Sequence, residues 1–121
     1  MKVQECYEKM GGNYSDVINR LRKESFVEKF LVRFPEDPSY GELVEGMENG
    51  DVGTAFRAAH TLKGVCQNLA LSSLFEPVNE MTELLRVEDM EGAKPLMPRV
   101  TEEYNKTLAA VNEFAESRDN T

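Results

Sequence analysis

A chain of 121 residues, 40% hydrophobic and 30% charged, has the size and mix of one globular domain with a sizeable core rather than of a disordered segment. Its formal net charge of -8 argues against nonspecific nucleic-acid binding, which needs a basic surface. No apolar run approaches the ~20 residues that span a bilayer, and Met1-Lys2-Val3-Gln4-Glu5 lacks the apolar stretch of a signal peptide. The expectation is a cytoplasmic protein with no nucleic-acid and no membrane partner. Cys6 and Cys66 are then expected as reduced thiols. Cys66 falls on an apolar helical stripe and reads as a small buried hydrophobe. With one histidine and two distant cysteines, no metal site is expected.

Strict alternation is missing and helical spacing recurs throughout. Val3, Tyr7 and Met10 predict a first helix, stopped by Gly11-Gly12. A second is expected over residues 15–21. A third should start at Ser25, where Ser25-Phe26-Val27-Glu28 matches a capping box, with Val27, Phe30, Leu31 and Phe34 as its apolar stripe and Pro35 as its break. A fourth should start near Ser39, again with a Ser-x-x-Glu spacing to Glu42. Its stripe is Tyr40, Leu43, Val44 and Met47, and Asn49-Gly50 closes it. Asp51 reads as the N-cap of the longest helix, about Val52 to Leu69. Leu71-Ser72-Ser73 marks a turn, after which Leu74, Val78, Met81 and Leu85 form a stripe to about Arg86, with Pro77 in or just after the first turn. The last helix should begin between Gly92 and Pro98 and carry Val100, Tyr104, Leu108, Val111 and Phe114. These elements predict an all-α fold: an antiparallel up-down four-helix bundle over about residues 25–117, with short additional N-terminal helices that cap or extend it. Residues 1–121 read as a single domain.

The only histidine, His60, sits in Ala58-Ala59-His60-Thr61-Leu62-Lys63-Gly64. At ~100° per residue, Val52, Ala55, Ala59, Leu62, Cys66 and Leu69 share one side of the helix, widened by Ala58 and Val65. His60 points roughly 130° from the centre of that side. It is therefore off the apolar stripe, which weakens the reading of a buried core histidine, and from geometry alone it stands as either a plain surface histidine or a functional one. Lys63 lies one turn on, along the same surface. Gly64 costs about 1 kcal/mol relative to alanine inside a helix, which points to a packing or access reason. Phe56, Lys63 and Gln67 share the histidine's side. Phe56 reads as an edge-of-core residue or as part of a partner-binding rim. Gln67 reads as a solvated residue with the option of a hydrogen bond.

Ala59-His60-Thr61-Leu62-Lys63-Gly64 resembles the signature of histidine-containing phosphotransfer (HPt) domains of bacterial and fungal phosphorelays. The resemblance includes the Gly50-Asp51 helix start, the run Ala55-Phe56-Arg57-Ala58-Ala59, and Asn68-Leu69 after the histidine, and it covers residues 25–114. Two positions depart from the family pattern. Ala70 stands where glycine is usual, and Gln67 where small residues are usual, a change that bears on partner choice or on the lifetime of the phosphorylated state.

The resemblance implies a phosphorelay intermediate. His60 accepts a phosphoryl group from the aspartyl phosphate of a receiver domain and passes it to another receiver. Lys63 stabilises the group in transit, and Phe56, Gly64 and Gln67 meet the partner. The implied partners are response-regulator receiver domains and a hybrid histidine kinase, with the chain itself a monomer. The receiver would bring the aspartate and Mg²⁺, so no cofactor is expected on this chain. With neither G-x-x-x-x-G-K-[ST] nor G-x-G-x-x-G in the sequence, autonomous kinase activity is not expected. Met1 favours a free-standing protein over a piece of a larger sensor. Two other readings stay open: a helical module that binds receivers without phosphotransfer, and a small enzyme with an acid-base histidine. The latter lacks a nucleophile or carboxylate at a fixed spacing.

Overall fold

Helix boundaries follow the chain's turn signals closely. In the computed structural model, which describes residues 1–119, α1 spans Val3–Met10 and ends on Gly11 at φ 70°, a left-handed conformation that glycine adopts without steric cost. The expected single domain also takes in residues 120 and 121, which lie outside the described residues. Helix α2 spans Tyr14–Leu21, and its N-cap Asn13 accepts a hydrogen bond from the Asp16 N–H. Helix α3 covers Glu24–Leu31, α4 Ser39–Glu48, α5 Val52–Leu69, α6 Ser72–Arg86, α7 Met90–Ala93 and α8 Met97–Asp119. Short 3₁₀ turns at Phe34–Glu36 and Lys94–Leu96 complete the described chain, which contains no strand among its described residues.

Several local expectations need correction. Ser25 lies inside α3 and caps nothing; Lys23 holds the N-cap position without a side-chain hydrogen bond. Ser39 is likewise the first residue of α4 rather than its cap, and its N–H donates to the Asp37 carboxylate at 2.8 Å. In both cases the Ser-x-x-Glu pattern begins within the helix rather than at its N-cap: at the second residue of α3 and the first of α4. Helix α8, at 23 residues, is longer than α5, at 18. Phe30 is not in the core but 44% exposed. The short helix α7 was not expected; it is started by Asp89, which accepts from the Gly92 N–H.

Packing joins α4, α5, α6 and α8 into the expected helical bundle, with α1 laid against α8. The direction of α6 against α5 shows in two cross-helix contacts. Lys63 meets Glu83, and seven residues earlier on α5 Phe56 meets Arg86, three residues later on α6. The two helices therefore run antiparallel. Gly46 lets α4 approach α5 closely: a Cβ there would stand 2.6 Å from the Ala55 nitrogen. Helix α8 is tied to α4 by Tyr40 and Tyr104, whose rings stack with centroids 3.9 Å apart, and by the Tyr40 hydroxyl, which donates to Thr101 at 2.9 Å. The core is filled by Leu31, Leu43, Leu62, Leu74, Met81, Leu85 and Phe114, all fully buried.

Candidate functional site

Helix α5 is fixed at both ends and presents one outward face. At its start the Asp51 carboxylate accepts from the Thr54 N–H at 3.1 Å and from the Thr54 hydroxyl at 2.8 Å. Those hydrogen bonds hold the Asp51 carboxyl below its ordinary value. At its end Ala70 turns the chain at φ 53° and ψ 45°, and the Tyr7 hydroxyl donates to the Leu69 carbonyl at 2.7 Å. Ala55, Ala58, Ala59, Leu62, Cys66 and Leu69 are buried, as the helical arithmetic predicts. Burial among them pushes the Cys66 thiol up to about 12, which suits the inert small hydrophobe expected there.

His60 is exposed on the opposite side. Among the described residues no side chain or backbone group forms a hydrogen bond with its ring. Its contact is with Phe56, one turn earlier, at 5.8 Å between ring centroids. Phe56 is half-buried and is covered by the Arg86 guanidinium, 5.1 Å from the ring centroid. One turn beyond His60, the Lys63 side chain is only 21% exposed and reaches Glu83, Nζ to Oε1 3.7 Å. Glu83 also pairs with Arg86 at 3.3 Å. Its carboxyl lies below the usual carboxylate range, chiefly through the hydrogen bond from Arg86. Gly64 faces open space: a Cβ there would meet nothing within 4 Å.

The structure thus gathers His60, Phe56 and Lys63 with Glu83 and Arg86 on one outer surface of α5 and α6. Glu83 and Arg86 were not singled out from the sequence. Nothing in one helix's spacing reveals which residues of another helix will face it, although the Glu83–Arg86 pair is itself visible as an i,i+3 spacing. Gln67 is exposed one turn beyond Lys63 on α5. It lines a separate depression of about 330 Å³ with Asp16, Arg20, Ser72 and Phe75. The exposed Phe30 borders a cleft of about 500 Å³ between α2, α3 and α5, floored by Leu21, Phe34, Val65 and Leu69.

Chemically, the surface offers one imidazole, two cations and one carboxylate in an open setting. Among the described residues no group of three or more His, Cys, Asp or Glu is placed to hold a metal ion. No helix among them is long and apolar enough to cross a membrane. Comparison with protein-family models finds one described as Hpt domain, matched by residues 25–113. Comparison with curated proteins and with solved structures returned no match.

Proposed function

This chain belongs to the Hpt domain family of phosphotransfer-relay carrier modules, and from that premise we propose that His60 is the residue that carries the phosphoryl group. The observation that carries this reading is the placement of the chain's single histidine: exposed on α5, inside the matched residues, with open space over Gly64 and a cation one turn away.

The chemistry is an in-line displacement. The neutral imidazole offers a lone pair at Nε2 while its proton stays on Nδ1. A receiver domain brings an aspartyl phosphate. The N–P bond forms at Nε2 as the P–O bond to the aspartyl carboxyl breaks, and the carboxylate leaves with the electron pair. The reverse displacement on a second receiver passes the group onward. Lys63 offers a charge-assisted hydrogen bond to the phosphoryl oxygens in transit. Gly64 leaves room for the receiver, Phe56 adds an apolar contact beside the histidine, and Gln67 lies at the edge of the approach. Mg²⁺ belongs to the receiver. In this reading the whole chain is one monomeric cytoplasmic module that serves receiver domains and a hybrid histidine kinase and makes no phosphoryl group of its own from ATP.

The test is incubation with a phosphorylated receiver domain. The expected result is an acid-labile, alkali-stable label on the parental chain and none on His60→Gln. A label that persists in His60→Gln overturns the assignment. Tight receiver binding with no transfer would favour a binding module instead.

A further inference from the structure

Lys63 and Arg86, two cations on the α6 side of the histidine, share a single counterion. Glu83 pairs with Lys63 across the α5–α6 contact at 3.7 Å and with Arg86 on its own helix at 3.3 Å. Arg86 in turn covers Phe56, which touches His60. The carboxylate is 54% exposed, and the contacts that fix its position are those with the two cations. In a chain of net charge -8, an added anion on this surface meets an unfavourable overall field, and these two cations lend it local support.

Resting on the phosphotransfer reading above, we propose that Glu83 is a positioning residue. In the resting protein it holds Lys63 and Arg86 beside His60 as a cation pair with one shared counterion, and a phosphoryl group on His60 displaces it as that counterion.

The two anions compete for the same donors. Before loading, Lys63, Arg86 and Glu83 together carry one positive charge. After loading, Glu83 remains nearby and repels the phosphoryl oxygens. The carboxylate therefore keeps the cations within reach while holding the loaded state less stable than two unopposed cations would. A carrier that must give its cargo up gains from that balance, because the equilibrium with a receiver aspartate stays close to even and the group moves on. Removing the charge while keeping the shape, in Glu83→Gln, should shift the equilibrium toward phosphohistidine and lengthen its lifetime. Removing the second cation, in Arg86→Gln, should do the opposite. The pairs are exposed, so the expected changes are modest, about threefold each.

The experiment mixes one phosphorylated receiver domain with the full chain and reads the partition of phosphate between receiver and chain at equilibrium, by gel separation and by ³¹P NMR. The control variant is Glu113→Gln. It also removes one acidic charge and one exposed ion pair, with Lys9 on α1, away from α5. We expect the partition toward the chain to rise about threefold in Glu83→Gln, to fall about threefold in Arg86→Gln, and to stay at the parental value in Glu113→Gln. A partition in Glu83→Gln equal to or below the parental value overturns the proposal, as does an unchanged Arg86→Gln or an equal rise in Glu113→Gln. A parental chain that takes no label at all overturns the phosphotransfer reading itself, and this proposal with it.

Discussion

The Tyr7 hydroxyl donates to the Leu69 carbonyl at 2.7 Å, joining α1 to the last residue of the histidine-bearing helix across 62 positions of sequence. Both groups are buried, and burial pushes the Tyr7 phenol well above its ordinary value. Tyr7→Phe keeps the ring and strands one carbonyl of a helix end, so it should cost about 1–2 kcal/mol. A thermal melt should show a drop of several degrees with cooperativity retained. An unchanged melting temperature would mean that water replaces the phenol at no cost.

Ala70 closes α5 at φ 53°, a left-handed conformation that disfavours a side chain with a Cβ. Ala70→Gly should therefore stabilise the protein, by about 0.5–1 kcal/mol after allowing for the greater freedom of glycine in the unfolded chain. Denaturant midpoints would reveal the gain; a loss would show that the buried Ala70 methyl outweighs the backbone strain.

At Gly64 two effects separate. Gly64→Ala adds a methyl group into open space and should raise stability by up to ~1 kcal/mol. Gly64→Gln should fold equally well, as judged by circular dichroism, yet lose receiver-dependent labelling of His60. Transfer at the parental rate in Gly64→Gln would remove the steric account.

Lys63→Ala breaks one ion pair with the half-exposed Glu83 at the protein surface, and surface pairs contribute about 1 kcal/mol or less. The melting temperature should move by no more than a few degrees, while phosphoryl transfer slows. Stopped-flow mixing with a phosphorylated receiver would decide, since parental kinetics in Lys63→Ala would exclude the lysine from the chemistry.

Both cysteines are buried thiols whose pKa lies above the ordinary value of 9.0: about 11 for Cys6 and about 12 for Cys66, each raised first by burial. A thiol that resists ionising in the fold but not in the unfolded chain contributes stability that is whole below pH 9 and lost as pH climbs toward 11–12. Unfolding free energy should fall across that window, less steeply in Cys66→Ala. At pH 8 a thiol reagent should label neither cysteine in the folded protein and both in denaturant. Fast labelling of native protein at pH 8 would contradict the burial.

What the sequence makes legible here is what is local. Val3–Met10 and Val52–Leu69 have the expected bounds because a glycine, an aspartate cap and a 3.6-residue stripe all act within a turn or two. The outward placement of His60 follows from the same arithmetic. The misses have local and nonlocal causes. Ser25 and Ser39 match a capping pattern, but the helices begin one residue before Ser25 and at Ser39 itself. Phe30 sits on the right stripe of α3, yet that stripe turns partly toward an open cleft, which no periodicity within eight residues could show. Glu83 and Arg86 join the site from α6, and their part in it depends on how two helices are registered against each other.

The close approach of Gly46 to Ala55 bears on what kind of message this surface can send. The α4 backbone rests against the buried side of α5 at Gly46, the Asp51 N–H holds the start of α5 to the Gly46 carbonyl at 2.9 Å, and Tyr7 pins the other end. A rod clamped at its flank and at both tips cannot roll about its own axis without breaking all three holds. If cargo at residue 60 distinguishes one state from another, the scaffold beneath it stays still. A partner must then sense altered electrical potential rather than altered shape, and recognition should weaken as added salt screens that potential.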